Sequence, residues 1–286
     1  MRRLASTIAV VAFALLAPSK AFAHPSTSVV MDGQGNVFYS DLKRVIMIAP
    51  DGRRQIAVPN VHAHELYLDS QGNLYGDHTW YEGRRTKKWG HRVWKRAPDG
   101  TITDVIPASE GFLTDYGFTR DSSGTMYWAR REPPTEIWKR RNGEPAAVHS
   151  RGSFRDVRSM VAGRDGTVYL IDSADLKRIL PDGKVLIMSP GIASRSPARF
   201  AVNRRHAVMG LWLDAGNNVY AASYGTGEVK RVSPRGEVSV ISRSGLPWSP
   251  TGGMVAPNGD LWILETSLIN EVRLKRIAAN GSVSFY

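Results

Sequence analysis

His62, His64 and Glu65 form the densest grouping of proton carriers and metal-binding side chains in the chain. Imidazoles and carboxylates move protons near neutral pH and hold divalent ions, so this grouping points to acid–base or metal chemistry. Asp115, Asp156 with Arg158, His206 and Glu265 follow at wide intervals. Such scattered groups make one centre only if the fold keeps returning the chain to a common axis. On that condition His64, Asp115, His206 and Glu265 are the catalytic candidates, while His62, His64, Glu65 and Asp156 are the candidate ligands of a divalent ion such as calcium or zinc. Neighbours alternate along extended backbone, so His62 and His64 share a side and Glu65 faces away. That geometry favours the histidine pair.

A second grouping runs from His78 to Arg92, where Trp80, Tyr81 and Trp89 are interleaved with Arg84, Arg85, Lys87 and Lys88. Aromatic faces stack on sugars or rings while cations hold acidic groups. Trp80, Arg84, Arg85 and Trp89, with Arg158, are therefore the candidate ligand contacts. Equally, the two tryptophans could pin the loop to its own sheet.

The elements that must position these residues are written six times. An apolar strand, a Gly or Asn turn, a second strand, a Lys-Arg strand and an Asp-Gly-like turn recur. The first turn falls at Gly35-Asn36, Gly72-Asn73, Gly124-Thr125, Gly166-Thr167, Asn217-Asn218 and Gly259-Asp260, in steps of 37, 52, 42, 51 and 42 residues. The second falls at Asp51-Gly52, Asp99-Gly100, Asn142-Gly143, Asp182-Gly183, Arg235-Gly236 and Asn280-Gly281. Four short strands per unit of this length predict an all-β, six-bladed propeller of four-stranded antiparallel blades. Approximate blades are 24–58, 59–106, 107–149, 150–188, 189–242 and 243–286. β-branched and aromatic residues follow each first turn, and sustained helical periodicity is absent.

Residues 1–23 are set apart from the propeller. Arg2 and Arg3 precede an apolar run, and Ala21-Phe22-Ala23 supplies small residues for cleavage after Ala23. A cleavable signal peptide predicts a periplasmic or secreted protein with no transmembrane segment in its mature chain. The chain has no cysteine, which excludes disulfides, thiolate metal sites and a cysteine nucleophile. Its net charge is +12. Removing Arg2, Arg3 and Lys20 with the signal leaves +9 and favours anionic partners. Export makes nucleic acid the least suitable of these, leaving a small molecule, an anionic glycan or a protein.

Lys-Arg pairs recur on the third strand, at 95–96, 139–140, 177–178, 230–231 and 275–276. Alternation predicts that one of each pair lies between blades and meets an acid of the neighbour. Unit one starts with an innermost strand and unit six ends with an outermost one, so the ring is expected to close by packing alone, without strand exchange. Both short turns lie on one face of the disc, and the long connections 77–92, 150–158 and 191–208 on the other. Function is expected on the latter face, with Asp41, Asp77, His78, Arg130 and Asp172 closing second strands beside the channel mouth.

The run Leu68-Asp69-Ser70-Gln71-Gly72-Asn73-Leu74-Tyr75, with Leu213-Asp214 to Tyr220, resembles the NHL-repeat and SMP-30/gluconolactonase group of six-bladed propellers. Blade six, from Pro250-Thr251-Gly252-Gly253 to Glu265, also resembles one repeat of the streptogramin lyases. Two functional classes follow. One is an exported binding module for an anionic ligand on the loop-rich face. The other is a metal-dependent hydrolase or lactonase, or a streptogramin-lyase-like enzyme. The lactonase pattern implies an early Glu-Gly-Pro, whereas here Glu65 precedes Leu66-Tyr67.

Overall fold

The computed structural model describes residues 25–81, 88–111, 119–193 and 207–286. The signal-like segment, Arg84, Arg85, Asp115 and His206 lie outside them. Six four-stranded antiparallel sheets follow one another around a ring. Blade one holds β1 (Val29–Met31), β2 (Val37–Ser40), β3 (Val45–Ile48) and β4 (Arg54–Val58). In blade two these are β5 (Leu66–Leu68), β6 (Leu74–Tyr81), β7 (Trp89–Arg96) and β8 (Ile102–Glu110). Blade three holds β9 (Thr119–Arg120), β10 (Met126–Arg130), β11 (Glu136–Arg140) and β12 (Ala147–Ser150). Then come β13 (Val157–Ala162), β14 (Val168–Asp172), β15 (Asp175–Ile179) and β16 (Val185–Ser189) in blade four. Blade five is β17 (Leu211–Leu213), β18 (Val219–Ser223), β19 (Glu228–Val232) and β20 (Val238–Arg243). Blade six is β21 (Trp248–Val255), β22 (Leu261–Ser267), β23 (Val272–Ile277) and β24 (Val283–Phe285). No helix occurs among the described residues.

The repeated first turn is held by its aspartate. Asp69 Oδ1 accepts from the backbone N–H groups of Gln71 and Asn73, and its Oδ2 from Asn73 Nδ2 and the Tyr75 hydroxyl. Asp214 does the same with Gly216, Asn218 and Tyr220. A short side chain that bonds the backbone two and four residues on fixes the turn, and glycine supplies its positive φ, as at Gly72 (79°). One local element thus ties the start of strand two to the turn before it in every such blade.

Sheets pack face to face around the ring. Phe38, Val45 and Val58 of blade one bury against Leu66, Leu74 and Trp94 of blade two. Tyr169 and Leu176 of blade four do so against Leu211 and Val219 of blade five. At the closing seam Val29, Tyr39 and Ile48 pack on Trp262, Leu264 and Leu274, with Tyr286 alongside. β1 pairs with β2 and β24 with β23, and only an isolated bridge, Ser28 to Gly253, crosses the seam. Packing closes the ring, and no strand is exchanged.

The third-strand cations find partners other than those expected. Lys177 Nζ meets Asp172 of its own blade at 2.6 Å, and the Ser153 carbonyl. Lys230 donates to the Ile192 carbonyl, and Lys275 to Ser242 Oγ and the Arg243 carbonyl. Arg276 pairs with Asp260, again within its blade. The long lysine reaches chain arriving from the preceding blade, where carbonyls and hydroxyls, not acids, face it.

Candidate functional site at the channel mouth

The β4–β5 connection carries His62 to Glu65 along the face opposite the short turns, beside the end of β6. There the two histidines meet. Their Nε2 atoms are 3.2 Å apart and their rings are edge to face at 4.7 Å. Backbone and carboxylate partners hold them. His62 Nδ1 lies 2.9 Å from the Leu42 carbonyl, and the His62 N–H donates to His78 Nδ1 at 2.8 Å. The Asp77 carboxylate accepts from the His64 N–H at 2.9 Å and from Thr79 Oγ1 at 3.0 Å, and its Oδ2 lies 3.5 Å from His64 Nδ1. Ser26 Oγ and the Thr27 N–H both donate to the His64 carbonyl, anchoring the lead-in to blade one.

Partner roles assign the tautomers. A carbonyl only accepts, so His62 carries its proton on Nδ1 and offers Nε2 as an acceptor. The facing His64 Nε2 is then the donor, and its Nδ1 looks at the Asp77 carboxylate. The result is a line, Asp77 to His64 to His62, in which the carboxylate favours a proton on His64 and His64 presents one to His62. His78, accepting at Nδ1, holds its proton on Nε2 and stacks on Trp80 at 5.5 Å.

Environment tunes these groups. Burial, then the neighbouring His64, holds His62 below the usual histidine range. Burial and then Arg92 lower His78 likewise. For Asp77 burial acts upward, but hydrogen bonds and charge from His64, with Thr79, outweigh it and hold the carboxyl low. Glu65 is exposed, and partial desolvation by the surrounding protein, then the charge of Asp77, pushes its carboxyl up to about 7 against the pull of His64 and Arg131. Arg131, which follows β10 and is exposed, is a mouth residue that sequence reasoning missed; its place just past a second strand, like that of Asp41, was the available signal.

Other candidates fall elsewhere. Glu265 is fully buried, bound by Arg273 Nε at 2.7 Å and Ser244 Oγ at 2.6 Å. Arg273 in turn is covered by the rings of Trp248 and Phe285, so Glu265 is held in an internal ion pair. Asp156 pairs with Arg158. Asp172, closing β14, accepts the Arg155 and Asp156 N–H groups and braces the blade-four lead-in. Asp41 caps its own turn through Lys43 and Arg44. Arg130 stacks on Trp138 at 4.0 Å. No three His, Asp or Glu side chains gather as metal ligands among the described residues. His62, His64, Glu65 and Asp156 therefore do not fit one divalent-ion cage.

The stretch expected as a long loop from 77 to 92 is largely strand. β6 and β7 pair out to Tyr81 and Trp89. Cross-strand indoles lie on bare glycine backbones, Trp94 on Gly76 and Trp80 on Gly90, where a Cβ would overlap the ring. Trp80 is thereby a packing residue. Tyr81 and Trp89 stay exposed, their rings 4.7 Å apart.

Two open clefts lie on the short-turn face, away from the histidines. One, of about 460 Å³, sits between blades one and six beside Asp32, Trp262 and Tyr286. The other, of about 260 Å³, sits between blades three and four beside Asp121, Tyr127 and Lys139. Neither is lined by histidine, and their carboxylates are taken up by turn hydrogen bonds or by Arg276.

No known family profile and no curated protein matches the chain. Solved structures do. A gluconolactonase from Xanthomonas campestris is 13% identical, with 87% of this chain and 86% of that one covered and a TM-score of 0.57. The calcium-binding protein regucalcin from Agrobacterium tumefaciens is 16% identical over 84% and 82%, with a TM-score of 0.55. Virginiamycin B lyase from Staphylococcus aureus, a catalytically inactive histidine-to-alanine variant with quinupristin, is 12% identical over 93% and 85%, with a TM-score of 0.53. At these identities the likeness shows the fold. No helix among the described residues is long and apolar enough to cross a membrane.

Proposed function

We propose that the protein is an exported propeller enzyme that does acid–base chemistry at the channel mouth, as a hydrolase or lyase of small polar esters, lactones or related substrates. One observation carries the reading: Asp77, His64 and His62 form a hydrogen-bonded line beside Glu65, whose carboxyl is pushed up to about 7. Groups whose environments push their proton affinities apart divide into acid and base. His62 Nε2, once released from the His64 N–H that it accepts, takes a proton from water or from carbon, while His64 stays beside Asp77. Protonated Glu65 gives one to the departing oxygen as its bond to carbon breaks. The gluconolactonase and lyase among the matched propellers support an enzyme on this scaffold, and in the lyase a histidine is needed for activity. Export rests on the signal-like first 23 residues.

The test is turnover of a lactone, ester and depsipeptide panel by the purified protein, with His62→Ala, His64→Ala and Glu65→Gln beside it. Activity lost in the folded variants supports the proposal; activity that survives all three sinks it.

One feature favours a second reading, a binding module on the same face. The exposed Tyr81–Trp89 pair ends the β6–β7 hairpin, where an anionic glycan, small molecule or protein could stack. No turnover, together with ligand capture lost in Trp89→Ala, would establish that reading.

A further inference from the structure

The register of the third strand differs between blades. In blades four, five and six an arginine stands opposite the aromatic of strand two: Arg178 faces Tyr169, Arg231 faces Tyr220 and Arg276 faces Trp262. In blades two and three a lysine takes that place, Lys95 opposite Tyr75 and Lys139 opposite Tyr127. Lys139 thus lies on the Tyr127 side of its sheet, and it has no carboxylate partner among the described residues, unlike Lys177. Lys139 lines the cleft of about 260 Å³ between blades three and four, together with Arg141 and Arg164.

The cleft sets three cations against two carboxylates, Asp121 and Asp165. Arg141 has a single distant pairing, Glu144 at 4.0 Å, and no carboxylate pairs with Arg164 among the described residues. The cleft's two carboxylates are turned to their own loops. Asp121 accepts from Ser123, Thr125 and the Tyr127 hydroxyl, and Asp165 accepts from the Thr167 N–H and hydroxyl. At the floor Gly166, at φ 79°, leaves open a space in which a Cβ would touch the Tyr127 hydroxyl at 3.5 Å.

We infer that this cleft is an anion site, separate from the mouth, that takes a phosphate-type oxyanion between Lys139, Arg141 and Arg164. Three cations lining one cleft from two blades recognise a multiply charged oxyanion better than a halide, because several donors share its oxygens. Free phosphate esters and lipid headgroups share that chemistry.

The experiment is calorimetric titration of the purified protein with inorganic phosphate and with glycerol phosphate at fixed ionic strength, chloride serving as control, and sedimentation with phosphatidylglycerol vesicles. Saturable phosphate binding is expected, at least tenfold weaker in Lys139→Met and in Arg164→Gln. Vesicle association lost in the same variants would assign the oxyanion to a headgroup; soluble binding alone would assign it to a free phosphate ester. Neither side chain has a carboxylate partner among the described residues, so both variants should melt no lower than the parent in chloride, which separates lost binding from lost fold. Phosphate binding no stronger than chloride, or unchanged in both variants, overturns the inference.

Discussion

His62 and His64 face each other through Nε2 atoms 3.2 Å apart, a separation that only a shared hydrogen bond makes favourable. One ring must donate and the other accept, so the pair cannot carry two charges without breaking the contact. Proton occupancy of one ring is thus tied to that of the other, and Asp77 biases which ring holds it.

Removing the bias should be visible in kinetics. Asp77→Asn is expected to lower kcat by about 10²- to 10⁴-fold, the usual range for a general acid–base contribution. The alkaline limb of the rate profile should fall near pH 7, because Glu65 must be protonated to act as the acid. Glu65→Gln should abolish that limb along with most of the rate. A limb that persists in this variant would show that Glu65 is not its source.

Stability should fall in mild acid because of His149. The ring is buried against Tyr127, and burial, then Lys139, lowers its pKa to about 4. The unfolded chain, titrating near 6.5, therefore binds a proton that the folded chain refuses between pH 6.5 and 4. Stability is retained above pH 6.5 and lost as pH falls through that window, by about 3 kcal/mol in all. His62 and His78 act in the same sense. Urea midpoints measured from pH 7 to 4 should slope less in His149→Phe than in the parent.

What could be read from the sequence was what is local or strictly periodic. The Asp69-to-Tyr75 turn bonds itself over six residues, so its spacing announces it wherever it recurs. The histidine pair follows from alternation on one extended segment. Glu265 was misplaced because its partner Arg273 is set by the pairing of β22 with β23, and burial by Trp248 and Phe285 comes from still other strands. The stretch from Asp77 to Arg92 read as a loop because it is long between two repeat units and interleaves aromatics with cations, and Gly90 falls within it. In the fold that glycine makes room for Trp80.

The Glu265–Arg273 pair should be structural. Glu265 is fully buried, and its loss would leave the Arg273 guanidinium without a counter-ion between two aromatic rings. Breaking one side of a buried pair costs about 3–5 kcal/mol. Glu265→Ala should lower the urea midpoint accordingly, while kcat of the remaining folded protein stays near that of the parent. A selective loss of kcat would instead give Glu265 a part in the chemistry.

Ring closure should hinge on Gly252. A Cβ at this position would overlap the Thr27 carbonyl, because the incoming segment crosses β21 there on its way to β1. No strand exchange reinforces the seam, so a displaced Thr27 would carry with it the hydrogen bond from its N–H to the His64 carbonyl. Gly252→Ala is expected to cost about 1–3 kcal/mol by overpacking, or roughly 2–4 °C of Tm per kcal/mol at this chain length. Because that carbonyl belongs to His64, the hydrogen-bond partner of the candidate base His62, activity should fall at temperatures well below the melt. Hydrogen exchange would show faster opening in β1 and β21 than in β13 and β17; uniform exchange across the ring would mean that the seam is no weaker than the other blade contacts.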